Sequence, residues 1–181
     1  MIFPRYEIND AIRNRAIKRA DEIFDETTVY GYRKTFAGVL GEMAVWQYIE
    51  QTAGYAVRSG GRAKHDLEVM GRVVNRIEVK TQLRNVDTRD TFSVNVNKRQ
   101  YDDQIHDVYV FCSAKQGRTE DTAHMQYIEV VGWCLKEDVA RLGTLLMPGQ
   151  TFQNGQPVKK PVYSLLISQI QPMAKIDRAI K

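Results

Sequence analysis

The stretch KHDLEVMGRVVNRIEVKTQ, residues 64–82, decides the fold. Its segments DLEVM and VVNRIEVKTQ read as two strands joined tightly around Gly71, a hairpin by its turn chemistry. A strand sends alternate side chains to opposite faces. Ile77 and Val79 therefore share one face, and Glu78 and Lys80 the other. On the partner strand, Leu67 and Val69 leave Asp66 and Glu68 opposite them. If both apolar pairs line one core, the hairpin presents Asp66, Glu78 and Lys80 together. Two acids and a lysine so placed suit Mg²⁺, a hard cation that takes carboxylate and carbonyl oxygens and keeps several waters. A lysine beside a phosphate can also offset developing charge. The plainer reading is an exposed cross-strand ion-pair ladder, worth about 0.2–1 kcal/mol per pair.

Upstream, RKTFAGVLGEMAVWQYIEQT (33–52) predicts a helix that is apolar nearly all round and so largely buried. Glu42 lies within it, with Val39, Val45, Trp46 and Ile49 as its helical neighbours. A carboxylate in that company is costly unless paired. Either an arginine holds it at a rim, or it is aimed into a polar cleft. An earlier helix is predicted over 10–26, with Asp10 as its cap and a basic face of Arg13, Arg15, Lys18 and Arg19. Such a face is ordinarily just solvated.

Downstream, residues 90–106 read as a strand ending, followed by a loop or short helix. DVYVFCSA (107–114) and HMQYIEVVGWCL (124–135) read as buried strands, and KEDVARL as a short helix. The segment from Gly143 to Pro161 is loop-like, and 160–170 is a strand-like extension. The expectation is one domain over 1–181, helix first and then a mixed sheet, with its core at about 33–135.

The 181 residues, 43% hydrophobic and 27% charged, suffice to bury a core without disulfides. Cys112 and Cys134 sit in apolar strand-like runs and read as reduced core residues of a cytoplasmic protein. No run approaches the roughly 18 apolar residues of a membrane span, and the opening residues lack a signal-peptide pattern. His65, His106 and His124 are far apart in sequence, and no zinc-ligand spacing is present. Glycine-rich phosphate loops and nucleophile elbows are absent, so a nucleotide cofactor is not expected. The formal charge of +4 and the pI of about 9.0 permit a polyanionic partner without demanding one.

Glu42 in a helix, Asp66 in KHDLEV, then Glu78 and Lys80 in RIEVKTQ form an ordered set that resembles the PD-(D/E)XK, or restriction-endonuclease-like, nuclease superfamily. The resemblance covers about residues 34–135. It implies an α/β fold whose mixed, mostly four-stranded central sheet lies between helices. It further implies Mg²⁺-dependent cleavage of DNA, with Mn²⁺ able to substitute. Asp66 and Glu78 would hold the metal with the Val79 carbonyl, and Lys80 would position or activate water. Glu42 would complete the site directly or through water, and Gln82 could contact substrate or water. One departure is His65, which stands where the motif's proline is expected.

DNA contacts are expected from Arg62, Lys64, Gln82, Arg84, Lys98 and Arg99, since basic groups around a site supply non-specific affinity. For each alone, a solvated surface role competes. The expected protein is a DNA endonuclease acting as a homodimer, off the membrane. Alternatives are an inactive DNA-binding or assembly protein on the same fold, an exonuclease, an RNA-directed nuclease and a Holliday-junction resolvase. The compact size is compatible with an origin in a phage or mobile element.

Overall fold

The computed structural model describes residues 3–24, 31–60, 65–73, 75–116 and 125–180. Its framework is a six-stranded mixed sheet in the order β1-β7-β6-β4-β3-β2. The strands are β1 (Arg5–Glu7), β2 (Val57–Ser59), β3 (Leu67–Val69), β4 (Arg76–Arg84), β6 (Val108–Gln116) and β7 (Met125–Leu135). Only β4 and β6 run parallel; the other neighbours are antiparallel. The chain is thus α/β, with a mixed sheet flanked by helices.

Helices α1 (Asp10–Ile23) and α2 (Gly31–Tyr48) cover one face of this sheet. Asn9, not the expected Asp10, caps α1, and its side chain accepts a hydrogen bond from the Ile12 amide at 2.9 Å. Asp10 is instead the first helical residue, and α1 ends at Ile23; of the expected end, residues 25 and 26 lie outside the described residues. Helix α2 begins two residues earlier than expected and closes in a π-helical turn, Ile49–Ala53, that Gly54 ends at a left-handed φ of 72°. Its buried residues pack on Ile77, Val79, Val108 and Val110, all at alternate positions of β4 and β6.

The opposite face carries a second, smaller core that the sequence pattern does not predict. A three-stranded antiparallel sheet, β5 (Ser93–Asn97), β9 (Val162–Leu166) and β8 (Thr144–Leu146), lies there with α4 (Lys136–Leu142). Thr144–Leu146 falls in the segment expected to be loop, and the main sheet has six strands where four were expected. Tyr109 and Phe111 of β6 point into this core beside Val94, Val96 and Leu165. The short helix α3 (Lys98–Asp103) follows β5 directly. Cys112 and Cys134 are free and buried. No helix among the described residues is long and apolar enough to cross a membrane.

Candidate active site

Strand β3 is much shorter than β4, and the mismatch makes a notch. Leu67 pairs with Ile77 and Glu68 with Arg76, and there the ladder ends. Beyond Ile77 no described strand pairs with β4 on that flank, while β6 continues along the other as far as Arg84. The buried Val79 amide nevertheless has a partner: it donates to Asp66 Oδ2 at 2.8 Å. An acidic side chain thus takes the place that a strand carbonyl would fill. A residue's N–H and C=O leave a strand on the same flank, so the Val79 carbonyl also faces the Asp66 side.

Glu78 and Lys80 alternate with Ile77 and Val79 and point toward the second core, beside Tyr109 and Phe111. Lys80 Nζ donates to Glu78 Oε1 at 2.5 Å, and the two side chains are 17% and 4% exposed. An exposed ladder would leave such a pair in solvent; here it is largely desolvated. The solvent-side pair of the hairpin is elsewhere, between Glu68 and Arg58. Glu78 Oε2 is buried and makes no hydrogen bond among the described residues.

Glu42 lies on α2, near enough for the charges of Asp66, Glu78 and Lys80 to act on it. It follows Gly41, where the helix lies so close to β4 that an added Cβ would collide with Thr81 Oγ1. Burial raises the Glu42 pKa, and the negative charge of Asp66 raises it further; Arg19 on α1 is the main opposing charge. The arginine expected near Glu42 is therefore present, but its ion pair is with Glu22 at 3.1 Å. Burial also raises the Asp66 pKa, Glu78 adds repulsion, and the Val79 amide and Lys80 oppose the rise. The three carboxylates thus sense one another from two faces of the sheet.

Could these groups hold Mg²⁺? Among the described residues, no three Asp, Glu, His or Cys side chains form a ready metal cage. Mg²⁺ does not require one, because it commonly uses one or two carboxylates and retains water. Asp66, Glu78 and the Val79 carbonyl offer hard oxygen donors, and Glu78 Oε2 is a buried acceptor without a hydrogen-bond partner among the described residues. The donor set of Asp66, Glu78 and the Val79 carbonyl fits the ion.

The other expected residues fall into three groups. Arg62 and Lys64 lie outside the described residues. Gln82 and Arg84 continue the polar row of β4, but Arg84 is tied down: it donates to Ser113 Oγ, Gln82 Oε1 and the Ser93 carbonyl at 2.6–2.8 Å. Lys98 and Arg99 sit on α3, paired with Asp102 and Asp103. Arg99 is the freer, with a side chain 90% exposed. His65 is partly buried beside the hairpin, its Nε2 3.9 Å from Glu68 Oε2.

Sequence reasoning missed Gln100 and Gln104. Gln100 Oε1 accepts from Lys80 Nζ at 3.2 Å, and Gln104 Nε2 donates to Glu78 Oε1 at 3.0 Å. Their spacing in RQYDDQ was the available signal, within a segment whose structure was ambiguous. Close by, His106 packs edge-on against Tyr109, and its pKa falls to about 3 through burial and the charges of Lys136 and Lys80. Compared with known proteins, the chain matches no family model, no curated protein and no solved structure.

Proposed function

We propose that this chain is a Mg²⁺-dependent DNA endonuclease of the PD-(D/E)XK, restriction-endonuclease-like kind. The observation that carries the reading is the notch itself. Asp66 is fixed by the Val79 amide, and beside it a desolvated Glu78–Lys80 pair leaves Glu78 Oε2 unpartnered. The mixed strands β2, β3, β4 and β6 between helices are the kind of core that the resemblance implies.

Asp66, Glu78 and the Val79 carbonyl would hold the ion. Bound there, Mg²⁺ supplies positive charge to a phosphodiester and lowers the pKa of a coordinated water. The chain's own contribution is placement. Glu78 keeps the Lys80 ammonium at the rim of the notch, where it offsets negative charge gathering on the attacked phosphate. Glu42, its pKa raised by burial and by Asp66, can accept or return a proton near neutral pH. Arg99, with Lys98 beside it, offers contact to the DNA backbone.

An inactive DNA-binding protein on the same fold would gain nothing from a buried carboxylate with a free oxygen. The deciding experiment incubates supercoiled plasmid, linear duplex and a four-way junction with Mg²⁺, Mn²⁺ or EDTA. Asp66→Ala and Lys80→Ala proteins run alongside. Metal-dependent cutting lost in both variants is the expected result, and equal cutting by either variant would remove this site from the chemistry. Preference for the junction would favour a resolvase, and cutting only from ends an exonuclease. A twofold dimer in solution would suit cleavage of both strands.

A further inference from the structure

We infer that Gln100 and Gln104 are positioning residues that fix the joined Glu78–Lys80 pair from either side, one holding the carboxylate and the other the ammonium; this rests on the nuclease reading above. Both lie on one side of α3, one turn apart, with Gln104 closing the helix and donating its amide to the Gln100 carbonyl. Each meets a different partner. A carboxylate only accepts and an ammonium only donates, so identical amides must be used in opposite senses. Gln104 turns its NH₂ to Glu78 Oε1, and Gln100 turns its carbonyl to Lys80 Nζ.

The consequence is geometric. Glu78 Oε1 receives two donors, Lys80 Nζ and Gln104 Nε2, so this oxygen is occupied and the carboxylate plane is set. Oε2 is left as the oxygen without a hydrogen-bond partner among the described residues. Lys80 Nζ donates to both Glu78 Oε1 and Gln100 Oε1, which fixes the ammonium between the two side chains. Helix α3 is itself anchored at both ends. The Lys98 amide donates to the Pro161 carbonyl at 3.0 Å, and Lys136 Nζ donates to the Gln104 carbonyl at 2.5 Å. The second core thus provides a fixed bracket for chemistry on β4. Partners that orient a metal's ligands are commonly worth 10–100-fold in metal affinity or activity.

The two glutamines should fail differently. Gln104→Met, which keeps length but loses the donor, should weaken Mn²⁺ binding about 10-fold or more by calorimetry. Gln100→Met should leave Mn²⁺ affinity unchanged and lower kcat for plasmid cleavage by about 10-fold, with KM little altered. Gln104→Ala reads the same contact should methionine disturb the packing, and melting curves show that each variant folds. A purely structural role would shift Tm and leave both split readouts alone. Wild-type values for both variants would overturn the inference while leaving the nuclease reading intact. A wild-type protein that neither binds Mn²⁺ nor cuts would overturn both. One that binds Mn²⁺ without cutting would overturn the nuclease reading alone, and the Gln104→Met affinity would then decide the bracket.

Discussion

The Asp66 carboxylate accepts the Val79 amide at 2.8 Å, across thirteen residues of chain, at the point where β3 stops and β4 goes on. One contact therefore serves both the strand and the candidate site. Substitutions at 66 can separate the two roles. Asp66→Ala strands a buried amide and should cost about 1–3 kcal/mol in urea unfolding. Asp66→Asn keeps an acceptor and removes a charge repelled by Glu78, so the metal-free protein should be at least as stable as wild type. Its stabilisation by Mn²⁺ should nevertheless be lost. A wild-type rise in Tm with Mn²⁺ for the Asn variant would place the ion elsewhere.

Lys80→Ala should abolish cleavage and leave DNA affinity, measured in Ca²⁺, nearly unchanged. The lysine is 17% exposed and paired with Glu78, so it is poorly placed to add to general attraction. A large fall in affinity would instead make it a DNA-binding group.

The contact between α2 and β4 can be tested by volume alone. Gly41→Ala should destabilise the protein by about 1–3 kcal/mol, because the new methyl meets Thr81 Oγ1. Removing that oxygen in Thr81→Ala should recover much of the loss, so the double variant should be more stable than the sum of the single effects. Strict additivity would show that the helix simply moves away.

Protons and metal should oppose each other in the stability curve. The raised pKa values of Glu42 and Asp66 mean that the folded state holds protons which the unfolded chain has released. Between the ordinary carboxylate range, near about 4, and the raised values, the folded state binds more protons. Stability in EDTA should therefore fall as pH rises through that window. Mg²⁺ should flatten the slope, and so should Glu42→Gln. The comparison is Tm against pH for both proteins with and without metal, and an unchanged slope in Glu42→Gln would contradict the assignment.

Much of this was legible in the chain because it depends on short spacings. Alternation around Ile77 and Val79 gives the faces of β4, and the apolar run about Glu42 gives a buried helix. What stayed hidden depends on distant partners. Thr144–Leu146 is a strand only because β9 lies beside it, and its flanking glycine and proline argue for a loop. Asn9 and Asp10 are both good caps, and helix geometry rather than residue preference chose between them. Gln100 and Gln104 carry no charge, and their four-residue spacing marks a site only once their distances to Lys80 and Glu78 are known.

The three-residue length of β3 carries a further consequence. Were it extended toward its N-terminus by two more residues in the same register, the carbonyl of residue 65 would come opposite the Val79 amide and displace the Asp66 side chain from it. Insertions and deletions before Leu67 should thus be more damaging than many substitutions within the sheet. A chain of this kind could gain or lose its chemistry through a change in loop length, with every acidic and basic residue still in place.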